Sequence, residues 1–163
     1  MVVRGTKKFL DRLGRPGPTE ATSSGRLGGW YADVWFWRPQ VALFVSEVTL
    51  LPVIVPLAPA SSVISRLPFA FAEIAMRIGI EAAVVDDEVA EMVTWTLAKT
   101  SSRSVLGVMN EFTHLADSYR ERHDPIDLVE LSLWLAQVPC SPLHPSHGFP
   151  DLELKALLAA KET

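Results

Sequence analysis

In this chain of 163 residues, His114 and Asp117 stand three positions apart. On a helix, a carboxylate at that spacing can orient an imidazole as a general base. Ser101, Ser102 and Ser104 lie just upstream and are the candidate nucleophiles of a small hydrolytic enzyme. The sequence places none of them against His114, and a solvated histidine on a helix face accounts for the same residues.

The stretch 99-KTSSRSVLGVMNEF-112 supports a second chemistry. A polar loop leading into a helix N-terminus offers unpaired backbone N–H groups and the positive end of the helix dipole. Lys99 and Arg103 add charge, and the three serines add hydroxyls. Together they suit an anion such as phosphate or carboxylate. Gly107 sits inside the helix at a cost of about 1 kcal/mol against alanine, so something must approach the backbone there, either a packed neighbour or a ligand. Asn110 is placed to orient that ligand. At 100° per residue Arg103, Gly107, Asn110, His114 and Asp117 fall within about 80° of each other, a polar stripe opposite the core stripe. The plainer account is that one serine caps the helix.

Two further groups carry metal-ligating side chains. Cys140, His144 and His147 form C-x3-H-x2-H in a proline-rich loop, which is thiolate and imidazole chemistry suited to zinc but matches no standard zinc module. Asp86, Asp87, Glu88 and Glu91 form an acidic cluster, for which a helix first turn is explanation enough. No phosphate-loop or dinucleotide motif is present, so no cofactor is read from the sequence.

The elements that would position these groups follow from periodicity. Residues 2–5 read as a strand, and Thr6 caps a helix ended by Gly14. The segment 14-GRPGPTEATSSGRLGG-29 reads as a mobile surface loop. The run 30-WYADVWFWR-38 is an aromatic strand with Trp30, Val34 and Phe36 on one face and Tyr31, Trp35 and Trp37 on the other. It is either buried on both faces or is an aromatic platform, in one version the interface of a homodimer. Strands follow at 41–46 and 50–57. A helix is predicted from Pro68 to Gly79, and a short one capped by Asp86 or Asp87. Residues 93–98 read as a strand and 104–119 as a helix. Asp124 caps a helix over 126–138, and the last helix covers 151–161. The order predicts a single α+β domain, with a mainly antiparallel sheet covered by helices on at least one face.

Composition sets the boundaries. Apolar residues make up 48% and charged residues 21% of the chain, as in an ordinary folded domain. The net charge of −4 divides into +4 over residues 1–40 and −8 over the rest. A basic N-terminal third can meet nucleic acid or an acidic partner, or simply solvate a surface. The single cysteine suits a reducing cytoplasm. The N-terminus has no apolar stretch of signal-peptide type. The apolar run 41–60 has the length of a membrane span, but Glu47, Pro52, Pro56 and Pro59 argue for buried strands instead.

Several stretches resemble one family. They are 3-VRGTKKFLDRLG-14, 29-GWYADVWFWRPQVALFVSEVTLLPVIVPL-57, 100-TSSRSVLGVMNEF-112 and 135-LAQVPCSPL-143. The family is an uncharacterised bacterial one, DUF6933, and the resemblance spans nearly the whole chain. It implies a soluble, mostly stand-alone bacterial protein. It carries over no activity, ligand or catalytic residue, and His144 and His147 lie outside the stretches that carry it.

Overall fold

A computed structural model describes residues 1–18 and 20–159. The chain runs β1 (Val2–Gly5), α1 (Lys7–Leu13), β2 (Trp30–Trp35), β3 (Val41–Ser46), β4 (Pro52–Pro56), α2 (Val63–Ile78), α3 (Ala82–Ala90), β5 (Thr96–Lys99), α4 (Arg103–Arg122), α5 (Leu128–Leu135) and α6 (Pro150–Ala159). The strands form one five-stranded sheet in the order β4-β3-β2-β1-β5. β1 lies parallel to β2 and to β5, whereas β2/β3 and β3/β4 are antiparallel. The antiparallel ladders are the longer ones, with six and five residue pairs against three and four. The protein is an α+β single domain with a mixed, mostly antiparallel sheet.

Side-chain alternation along β2 splits the core in two, because neighbouring residues of a strand point to opposite faces. On one face Val3, Trp30, Ala32, Phe44 and Val53 pack with Phe9 of α1, Phe71 and Ile74 of α2, Val85 of α3 and Leu154 of α6. On the other, Tyr31, Trp35, Leu43, Val45 and Ile54 pack with Val105, Met109 and Phe112 of α4 and Leu131 and Leu135 of α5. Both faces of the sheet are therefore covered. α5 also covers the outer edge of β4, where the hydroxyl of Ser132 accepts from the Ile54 N–H at 3.1 Å. Pro52 and Pro56 remove donors from the same edge, so it presents little to another strand.

Several element boundaries differ from the expectation. α2 begins at Val63, fed by a 3₁₀ turn at Ala60–Ser62, and so contains Pro68 rather than starting on it. The missing N–H of Pro68 costs one bond within the second turn, less than the burial of Val63, Ile64 and Leu67 contributes. α3 starts at Ala82, which places Asp86 and Asp87 mid-helix instead of at its cap. α5 is capped by Asp127, whose Oδ1 accepts from the N–H groups of Val129 (2.9 Å) and Glu130 (3.1 Å). Asp124 precedes a proline, which disfavours the helical conformation there. β5 is shorter than read, and β2 stops at Trp35. The last helix matches through Ala159; its expected end at 161 lies outside the described residues.

The loop 14–29 lies against the sheet through several bonds. Gly17 N–H donates to Leu97 O (2.6 Å), Ser23 accepts from Val2 N–H (2.7 Å), and Arg4 Nη2 reaches Ala21 O (2.8 Å). Its last residues close on the β3–β4 connection. Ser46 Oγ donates to Leu27 O (2.8 Å), Glu47 N–H donates to Gly29 O (2.9 Å), and the Glu47 carboxylate accepts from Gly29 N–H (2.7 Å).

Candidate functional site

α4 is fastened to the sheet by the aromatic strand. Ser102 N–H donates to the Tyr31 hydroxyl (3.0 Å), with Ser101 Oγ 3.3 Å from the same oxygen. Trp35 Nε1 donates to Thr113 Oγ1 (2.9 Å), and Trp37 Nε1 donates to Asp117 Oδ1 (3.1 Å). Tyr31, Trp35 and Trp37 are all nearly buried, and each spends its one polar atom on the helix. The strand is central in the sheet, so its rings are core. Phe36, 61% exposed, is the one aromatic residue of the run that faces solvent.

These contacts account for much of the expected anion loop. Ser102 is the N-cap of α4, its hydroxyl accepting from Val105 N–H at 3.2 Å. The Lys99 carbonyl accepts from Arg4 Nη1 (3.3 Å), while its side chain is exposed. Arg103, Ser104, Gly107 and Asn110 form an exposed outer strip of α4. A Cβ added to Gly107 would meet nothing within 4 Å, so no packed element explains this glycine. Gly107→Ala is accordingly expected to raise stability by about 0.5–1 kcal/mol in chemical denaturation, the helix-propensity gain alone.

His114 is exposed and forms no hydrogen bond with Asp117, whose carboxylate is held by Trp37 instead. The three serines lie about three to four turns away from His114 along the same helix and its leading loop, so helix geometry does not bring them to the imidazole.

The other two groups are also divided. Cys140 is buried, and its thiol donates to Val138 O at 3.5 Å. His144 and His147 are exposed; His147 N–H donates to Glu153 Oε1 (2.7 Å) and its Nδ1 lies 3.4 Å from that oxygen. Among the described residues no group of three His, Cys, Asp or Glu side chains is arranged to hold a metal ion. In the acidic cluster, Glu88 is buried against Arg26 (2.6 Å) and Glu91 accepts from Ser24 (2.5 Å), so both anchor the 14–29 loop.

Burial pushes the Cys140 thiol up to about 12, with the charge of Glu111 adding to the shift. A raised pKa keeps the thiol protonated in the fold while the unfolded chain ionises near 9. The contribution to stability is complete below pH 9 and is lost as the pH rises from there towards 12. The native protein is expected to resist a thiol-specific disulfide reagent at pH 8 and to react with one equivalent once unfolded in guanidinium.

A cleft of about 830 Å³ opens at the C-terminal end of α4. Its walls are the turn after β2 (Phe36, Trp37, Arg38, Pro39), Val41 and Pro56 of the next two strands, the end of α4 (Arg120, Glu121, His123), and the segment Asp124–Ile126 with Leu128. The Arg120 guanidinium lies 4.8 Å from the Trp37 ring centroid, and Trp37 in turn packs on Trp35 at 4.9 Å. His123 is stacked on Tyr119 at 3.8 Å, with Nδ1 2.9 Å from the Tyr119 carbonyl. Arg38 and Arg120 have no carboxylate within 4.0 Å among the described residues. In the sequence Trp37 reads as part of the aromatic strand and Asp124 as a helix cap, with nothing joining them, because Arg120 and Trp37 are 83 residues apart and meet only through α4 docking on the sheet.

A family model, described as a domain of unknown function (DUF6933), matches residues 2–153. The chain belongs to that family. Neither the curated proteins nor the solved structures contain a match. Every element of the DUF6933 domain except the last turns of α6 falls within the matched span, including both walls of the cleft. No helix among the described residues is long and apolar enough to cross a membrane.

Proposed function

We propose that this DUF6933 domain is a small binding module of the bacterial cytoplasm that recognises an anionic group on its ligand. The observation that carries the reading is the pair of arginines without carboxylate partners, Arg38 and Arg120, in the wall of the cleft at the end of α4. A guanidinium held over an indole is pre-oriented and only weakly hydrated, so it gives up little when it takes a carboxylate or phosphate oxygen. The apolar wall of Phe36, Pro39, Val41 and Pro56 supplies burial for the rest of the molecule. A buried, protonated cysteine agrees with a reducing compartment. The hydrolytic alternative draws less support, since His114 is hydrogen-bonded to neither Asp117 nor any of the three serines.

The Trp37 indole N–H is a natural reporter, because its ring lies beside Arg120. Titration with butyrate or inorganic phosphate, followed by amide and indole NMR shifts, is expected to move Trp37, Arg38 and residues 119–124. The double variant Arg38→Ala/Arg120→Ala is expected to weaken binding at least tenfold with the fold intact. Shifts confined to Lys99, Ser101, Ser102, Arg103, Ser104, Gly107 and Asn110 would move the site to the start of α4. No shift at either end would remove the binding reading.

A further inference from the structure

The same cleft holds two carboxylates besides its two arginines. Glu121 and Asp124 line it, and neither is in an ion pair or hydrogen bond with Arg38, Arg120 or any other described residue. Four charged groups of both signs thus share one cavity without neutralising each other. No ion pair within 4.0 Å joins any two of them. The negative side is reinforced by position. Glu121 and Asp124 flank the C-terminus of α4, whose last carbonyls and dipole also favour a cation. A purely anionic ligand would meet Arg38 and Arg120 but would also meet that negative end.

Resting on the reading that the cleft binds a ligand, we infer that its occupant is a zwitterion: a short peptide with free ends, its carboxylate on Arg38 and Arg120 and its ammonium towards Glu121, Asp124 and the end of α4. The size agrees. A cavity of about 830 Å³ falls in the range of drug-sized ligands, roughly 300–1,000 Å³. That leaves space for more than a single amino acid, and the apolar lining of Phe36, Pro39, Val41 and Pro56 suits the peptide side chains.

The experiment compares three forms of one dipeptide, Leu-Ala, on the full chain: the free form, the N-acetyl form and the C-terminal amide. Affinity is read by calorimetry, and place by the Trp37 indole signal. The free dipeptide is expected to bind at least tenfold more tightly than either blocked form. Glu121→Gln/Asp124→Asn should reduce that advantage over the N-acetyl form to less than threefold, with the melting temperature unchanged because both side chains are exposed. If the N-acetyl form binds as tightly as the free dipeptide, the ammonium site is wrong while anion recognition stands. If the amide binds as tightly as the free dipeptide, anion recognition itself fails. If none of the three forms shifts the Trp37 signal, the peptide proposal is overturned, and butyrate then decides whether the cleft takes anions at all.

Discussion

Phe112→Ala should cost the fold about 3–5 kcal/mol. The ring is fully buried at the centre of α4, on the side that meets β2 and β3, and Met109, Val108 and Ala116 pack around it. Alanine removes the central ring of the contact between the longest helix and the sheet and leaves a cavity there. A domain of this size has about 5–15 kcal/mol of total stability, so the variant should unfold at a markedly lower urea concentration. Because Trp37 and Arg120 face each other only when α4 is seated, the same variant should also perturb the cleft. Gly107→Ala, on the outer face of the same helix, should shift the midpoint in the opposite direction. A loss below 1 kcal/mol for Phe112→Ala would mean that α4 is not held by this packing.

Gly28→Ala should cost about 2–4 kcal/mol, an unusually large effect for so small a change. The residue has φ +69°, in the left-handed region that disfavours a side chain. A Cβ there would also lie 2.6 Å from Glu47 Oε1 and 2.7 Å from Glu47 Cγ. The carboxylate cannot retreat freely, because it accepts the Gly29 N–H. Glu47→Ala made alone should cost the hydrogen bond to that N–H, about 1–2 kcal/mol. In the double variant the clash with Glu47 is gone, leaving the 2.9 Å approach to Val48 Cγ2, the backbone strain and the lost bond, so the two costs should be less than additive. Strict additivity in guanidinium denaturation would show that Glu47 is not what crowds Gly28.

The dependence of both results on non-local contacts explains which features are legible in the chain. Aromatic, β-branched and continuous apolar runs marked β2, β3 and β4, and period 3.6 marked α4 with its core stripe of Val105, Val108, Met109, Phe112, Leu115 and Ala116. Thr6 and Ser102 were readable as caps because a cap bonds to an N–H only three residues on. Helix starts were less legible. Val63, Ala82 and Leu128 are chosen by what their helices bury, and Asp124 and Asp127 offer the same side chain to a local rule.

For the candidate sites the difference is sharper. Cys140, His144 and His147 are neighbours along the chain, yet one side chain faces the core and two face solvent. His114 and Asp117 have the spacing of a pair, but Trp37, 80 residues away, takes the carboxylate. By itself the sequence determined a single α+β domain, the main strands and helices, the core stripe of α4 and the family, because each depends on short-range periodicity or on a pattern of residues along the chain. Only the tertiary structure decided that the aromatic strand is central, that its three polar ring atoms anchor α4, and that Arg38 and Arg120 come to one cleft. Those outcomes depend on which distant side chains compete for the same partner, and that competition is settled only when the helix docks on the sheet.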